Sequence, residues 1–363
     1  MQRTTTSVNR SLPLLLALVM IVAVGLSACS DDDNPTGTTG SSEFTEYLAD
    51  YSQKVIVATY DRMKAKGADL QTAVEAFAAD PSNQTKLDAA AMLWREMREP
   101  WEASEAFLFG PAEFLSLDPA LDSWPVDRGQ LANVLASEFD LTPEFIADGL
   151  GPALRGFHTV EYLLFRDGSP RTAAEVPERE REYLVAVATV LAEDAARLAD
   201  AWSVGGFAAE YAAAGTTGSR YNSQIDAVVE ILDGMSGICD EVANGKIADP
   251  FDEQDTRLVE SQFSWNSLAD FKDNVRSVQN AYTGEYAAAG LTGKGIDEYV
   301  ASKDAALDTR FKAELVAALA ALDAIPEPFR NNLDASAQIT AAQSAVLTLF
   351  NTIGDDLKPV FVN

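Results

Sequence analysis

One histidine is available to the whole chain, His158, and an acid follows three residues later at Glu161. At helical pitch the segment Gly151 to Phe165 (GPALRGFHTVEYLLF) puts both on one stripe with Leu154, Phe157, Leu164 and Phe165. A carboxylate among such neighbours is costly unless it is protonated, paired with a cationic side chain, or bound to a cation. Residues at i and i+3 are neighbours on a helix, with Cβ atoms roughly 5–6 Å apart. An imidazole nitrogen and a carboxylate oxygen so placed can hold one metal ion. They can equally form a hydrogen bond that braces a core, and the spacing leaves both readings open.

A second polar intrusion lies upstream. From Leu87 a stripe runs through Ala91, Trp94, Arg98, Trp101, Glu105 and Leu108. Arg98 and Glu105 thus share a face otherwise made of Leu, Ala and Trp. Pro100 lacks a backbone donor and is expected to kink or restart the helix. Arg98 is expected to approach His158 and Glu161 and balance carboxylate charge there; the alternative is an Arg–carboxylate pair that fastens two helices.

Several chemistries are excluded. One histidine cannot supply H-E-x-x-H, and in His158-Thr159-Val160-Glu161-Tyr162 a tyrosine stands where H-x-x-E-H needs its second ligand. A di-iron bundle needs two Glu-x-x-His helices. Gly290 to Gly295 (GLTGKG) lacks the four-residue gap and the Ser/Thr after lysine that a phosphate loop requires. Gly234-Met235-Ser236-Gly237 is not a nucleophile elbow. Two cysteines build neither a disulfide scaffold nor a cysteine-rich zinc site. With 27 basic against 56 acidic residues the net charge is −29, which repels phosphate backbones and disfavours nucleic acid.

The elements that must position these groups read as helices. Stripes at helical spacing include Phe44, Leu48, Tyr51 and Val55; Leu184, Val187, Leu191 and Leu198; Leu268, Phe271, Val275, Val278 and Tyr282; and Phe311, Leu315, Ala318 and Leu322. Breaks fall at Gly/Pro clusters, and the weakest interval runs from Trp202 to Tyr221. The expected fold class is all-α, with two antiparallel helical bundles of about four helices each. Residues 43–203 form the first bundle and 204–363 the second. Cys239, inside a helical pattern, reads as a small buried hydrophobe.

The N-terminus reads as an address. Arg3 and Arg10 precede an apolar run from Leu12 to Ala28, so residues 1–28 are expected to be a signal peptide. Leu26-Ser27-Ala28-Cys29 resembles the bacterial lipobox, with Cys29 lipidated and residues 29–42 a flexible tether. The expected location is the cell envelope, as an outer-membrane lipoprotein facing the periplasm or displayed on the cell surface.

Gly156-Phe157-His158-Thr159-Val160-Glu161 resembles the G-x-H-x-x-E signature of the imelysin family. Similarity extends through Arg95 to Glu105 (REMREPWEASE), Ser123-Trp124-Pro125, Asp240 to Pro250 (DEVANGKIADP), Ser264 to Tyr282 (SWNSLADFKDNVRSVQNAY) and Leu319 to Phe329, ending in IPEPF. The resemblance implies an all-α, two-bundle envelope protein associated with bacterial iron uptake, in a family grouped with metallopeptidases. It implies His158 and Glu161 as metal ligands, with Arg98, Trp101, Glu105, Trp124, Gly156 and Ser264 as neighbours of the site. The expected function is capture of iron or another divalent metal, free, chelated or as haem with His158 axial, at a site built from both halves and in concert with iron-transport components. The competing readings are a metallopeptidase using the same pair, and an interaction or adhesion module in which the pair only braces the fold. A hydrolytic zinc site uses three protein ligands, an activated water and a base. Two ligands are visible, so a third must come from a distant carboxylate, and binding without cleavage is expected.

Overall fold

Eight helices carry the architecture: α1 (Ala58–Ala79), α2 (Gln84–Glu102), α3 (Gly156–Leu164), α4 (Glu178–Trp202), α5 (Gln224–Asp240), α6 (Ser267–Thr283), α7 (Ala305–Asp323) and α8 (Ser336–Thr352). The structure is a computed structural model that describes residues 43–362. The expected signal peptide, Cys29 and the expected tether lie outside the described residues. Several helices begin where a side chain satisfies otherwise unpaired N–H groups. Asn83 accepts from the Lys86 N–H at the start of α2, Ser223 and Asp226 cap α5 reciprocally, and Asp304 accepts from Ala306 and Leu307 at α7. Pro100 sits in the last turn of α2, which ends two residues later and passes into a 3₁₀ turn at Glu105–Phe107.

The fold is all-α. Among the described residues the only strands are two hairpins of two residues per strand, Phe165–Arg166 with Ser169–Pro170 and Glu285–Tyr286 with Leu291–Thr292. Helix α1 packs along α2 and α4, α3 bridges α2 and α4, and α8 packs on α5 and α7. The chain halves meet along a seam where α2 packs on α6 and where α5 packs on the Glu105–Phe107 turn. The described residues belong to one compact unit, so the passage near residue 203 joins helical layers that share a core. Cys239 is buried in that core. No helix among the described residues is long and apolar enough to cross a membrane.

The functional residues come together at this seam. Helix α2 ends with Arg98, Trp101 and Glu102, and α3 begins with His158. Backbone geometry makes the meeting possible at Gly156, the first residue of α3, where φ is +76°. A Cβ there would stand 2.3 Å from the Leu121 carbonyl oxygen and 2.8 Å from that of Ala120. The glycine therefore lets α3 abut the backbone that leads into Asp122. Gly156→Ala is expected to destabilise the fold by about 2 kcal/mol or more, from left-handed strain and displaced backbone together. Denaturant unfolding checks this; an unchanged midpoint would mean that the close approach is dispensable.

Candidate functional site

Arg98 is fully buried and is the hub of the site. Its guanidinium pairs with Glu102 one turn on, with Asp122, with Glu260 at 2.6 Å and with Asp270 at 3.6 Å. It also lies 5.2 Å from the centre of the Phe157 ring. The four acids come from α2, from the segment after α2, from the loop before α6, and from the first turn of α6. Trp101 donates its indole N–H to Asp122 Oδ2 at 2.6 Å, which holds that carboxylate in orientation.

His158 approaches from α3 and is 2% exposed. Its Nδ1 lies 3.1 Å from Glu161 Oε2. The other oxygen of Glu161 accepts from the backbone N–H groups of Phe263 at 3.0 Å and Ser264 at 2.7 Å, and from the Ser264 hydroxyl at 2.7 Å. Both oxygens of Glu161 are thus engaged, and the carboxylate fixes the ring. Nε2 points the other way, 3.0 Å from Asp122 Oδ1 and 3.8 Å from Glu260 Oε1, without hydrogen-bond alignment to either. The Trp124 ring stands 6.2 Å from the imidazole.

Lys246 completes the cluster. It is buried with Nζ 3.3 Å from Glu102 and Glu260 and 3.7 Å from Glu105. Six carboxylates (Glu102, Glu105, Asp122, Glu161, Glu260 and Asp270) thus face two buried permanent cations, the half-buried Arg95 near Glu161 and Asp270, and one imidazole. Burial would raise Asp122, but Arg98 and His158 hold it well below the usual carboxylate range. Burial acts likewise on Glu260, where Lys246 and Arg98 prevail and pull it to about 2. At Glu102 and Glu105 burial wins and pushes the carboxyls well up, and it lifts Asp270 to about 6. Burial alone would lower His158, yet the Asp122 charge raises it well above its ordinary value. Without further cations the cluster must hold protons to balance its charge.

Solvent reaches the cluster from one side. A cleft of about 240 Å³ is lined by Glu105, Asp118, Asp122, Trp124 and Glu241. Beside the histidine, the space among Trp124, His158, Glu161 and Phe263 admits no water molecule.

The structure gathers Arg98, Trp101, Trp124, His158, Glu161 and Ser264 into one locus, with Glu105 on its cleft side and Gly156 acting through the backbone. Glu161, expected as a ligand beside His158, faces Nδ1 and is turned away from Nε2. Asp122, Glu260, Asp270, Glu102 and Lys246 are the residues that sequence reasoning missed. Glu102, one turn after Arg98, was within reach of a helix-pairing argument. Glu260 and Lys246 belong to no stripe that marks them.

The fold and the site define a class: an all-helical protein with a buried histidine–carboxylate–guanidinium cluster at the seam of its two halves. The imelysin (peptidase M75) family model matches residues 56–354, and the chain belongs to that family. It is 28% identical over 346 residues to iron-regulated protein A of Synechococcus elongatus, covering 93% of this chain and 91% of that one. A solved structure described as an iron-regulated protein A precursor from Parabacteroides distasonis is similar with a TM-score of 0.82 and 31% identity, over 90% of this chain and 97% of that one. An imelysin-like protein from Psychrobacter arcticum, 15% identical, shares the fold with a TM-score of 0.70 over 88% of this chain and 96% of that one.

Removing the hub leaves buried carboxylates uncompensated. Arg98→Ala is expected to destabilise by about 3–5 kcal/mol. Equilibrium unfolding against the wild type measures this; a loss below about 1 kcal/mol, the scale of an exposed pair, would contradict the buried-hub reading.

Proposed function

We propose that this chain is a lipid-anchored envelope protein that binds a metal cation, iron foremost, at His158, Asp122 and Glu260. The observation that carries the reading is the set of donors around Nε2. Ligand atoms each about 2.1 Å from one ion stand no more than about 4.2 Å apart. The separations from Nε2 to Asp122 and Glu260, 3.0 and 3.8 Å, fit that limit. A carboxylate oxygen has two lone pairs, so Arg98 can keep one while an ion takes the other. Glu161, held by Ser264 and Phe263, supplies the outer carboxylate that fixes the ring so that Nε2 faces the ion. One imidazole with carboxylate oxygens suits iron and similar first-row cations over thiophilic metals. Relatives named for iron regulation support iron as the cation.

Haem, by contrast, does not fit. Asp122 and Glu260 stand where a macrocycle would have to lie over Nε2, and the space beside His158 admits no water molecule. A peptide meets the same obstruction, since the cleft ends at Asp122 and Trp124 while a bare ion is far smaller. Binding without cleavage is therefore the reading favoured over a peptidase. The lipobox-like Cys29 supports attachment to the outer membrane, where the bound metal would pass to iron-transport components.

The test is metal analysis of protein purified without chelators and then loaded with ferrous iron without oxygen. One iron per chain is expected, lost in His158→Ala and in Asp122→Asn. Glu161→Gln, which disturbs only the outer carboxylate, should weaken binding by about 10–100-fold. Full iron retention by His158→Ala would sink the proposal. In cell fractionation Cys29→Ser should move the protein from the membrane to the soluble fraction; persistence in the membrane would rule out the anchor.

A further inference from the structure

Lys246 enters the cluster from a stretch where the end of α5 widens into a π-helical turn, Glu241–Ile247. Such turns are uncommon in helices and are frequent at functional sites. Here the widening directs a completely buried lysine inward. Its Nζ lies 3.3 Å from Glu102 and from Glu260, 3.7 Å from Glu105 and 4.0 Å from Glu241. It also stands 5.7 Å from the centre of the Trp124 ring, at the wall of the cleft. Burying an ammonium is expensive, and apolar side chains in place of a whole buried ion cluster are often at least as stable. The lysine therefore calls for an explanation other than packing.

The acids around it supply one. Glu102, Glu105 and Asp122 each offer an oxygen, and the three oxygens lie within 4.8 Å of one another. This triad shares Asp122 with the histidine locus and opens to the cleft through Glu105. Among the described residues Glu105 accepts no hydrogen bond, and its ionic partner is Lys246 at 3.7 Å. An ion seated in the triad would therefore stand against the ammonium. We propose that Lys246 is a specificity-determining residue whose ammonium takes the place of a second cation, so that the cluster binds one metal ion and not two.

The inference rests on the metal-binding reading only for the identity of the first ion. Exclusion of the second is testable by itself. Manganese(II) is the probe, counted by equilibrium dialysis and electron paramagnetic resonance on the full chain. The wild type should hold one Mn²⁺ and Lys246→Met two. Adding Glu105→Gln to Lys246→Met should return the count to one, and so should adding His158→Ala.

A folded Lys246→Met that binds no more Mn²⁺ than the wild type overturns the proposal and leaves the histidine site standing. A wild type that binds none, beside a Lys246→Met/His158→Ala chain that binds one, removes the histidine site and leaves this proposal standing. Should Lys246→Met fail to fold, Lys246→Gln replaces it, with melting followed with and without Mn²⁺. A larger rise in the melting midpoint than in the wild type supports the proposal. An equal or smaller rise, or failure of both variants to fold even in Mn²⁺, counts against it.

Discussion

A guanidinium wholly removed from water keeps its charge, so the chain around Arg98 has to bring carboxylates to it. That requirement organises the centre of this molecule. Glu102 comes from the same helix, Asp122 from the segment that follows, and Glu260 and Asp270 from the other half of the chain. The seam between α2 and α6 is thus bridged through Arg98, through polar contacts such as Asn274 with Glu102 and Arg95 with Asn266, and through apolar packing. If it separated, the guanidinium would lose partners from the second half while its remaining partners would be left short of positive charge.

The acids recruited to Arg98 outnumber the bases, and this surplus gives the site its chemistry. Part of the negative charge is met by Lys246 and part by protons, since burial raises Glu102, Glu105 and Asp270 while Asp122 and Glu260 are held ionised. A cation arriving at Nε2 meets two carboxylates already charged and already oriented, one by Trp101 and both by Arg98. Little reorganisation is then needed at the moment of binding. Metal binding at a histidine also requires the ring to be neutral. In the proposed site, the raised affinity of His158 for a proton would set proton and metal in competition for the same nitrogen.

The family association with peptidases and the geometry of this site point in different directions, and the reason lies in Glu161. As a ligand it would need a free oxygen facing Nε2, and as a base it would need access to a water beside the ion. It has neither, because Phe263 and Ser264 hold one of its oxygens and the other faces Nδ1, on the side of the ring away from Nε2. The signature G-x-H-x-x-E then has a structural logic of its own. The glycine admits close backbone contact, the histidine presents one nitrogen, and the glutamate anchors the other to the opposite half of the chain.

Much was legible in the sequence because it depends on neighbours along one helix. Apolar residues at helical spacing specified the all-α class, and Gly/Pro clusters marked where helices break. Polar residues on apolar stripes singled out Arg98, His158 and Glu161, since a buried charge cannot be explained by packing. What those groups meet was decided only by the tertiary structure. Asp122, Lys246 and Glu260 stand on no marked stripe, and they reach the site through a loop, a widened helical turn and a second loop. The direction of Glu161 was likewise beyond i,i+3 spacing, which places a carboxylate near a histidine without saying which nitrogen it faces. Here the backbone N–H groups of residues 263 and 264, about a hundred positions away along the chain, made that choice by binding its other oxygen.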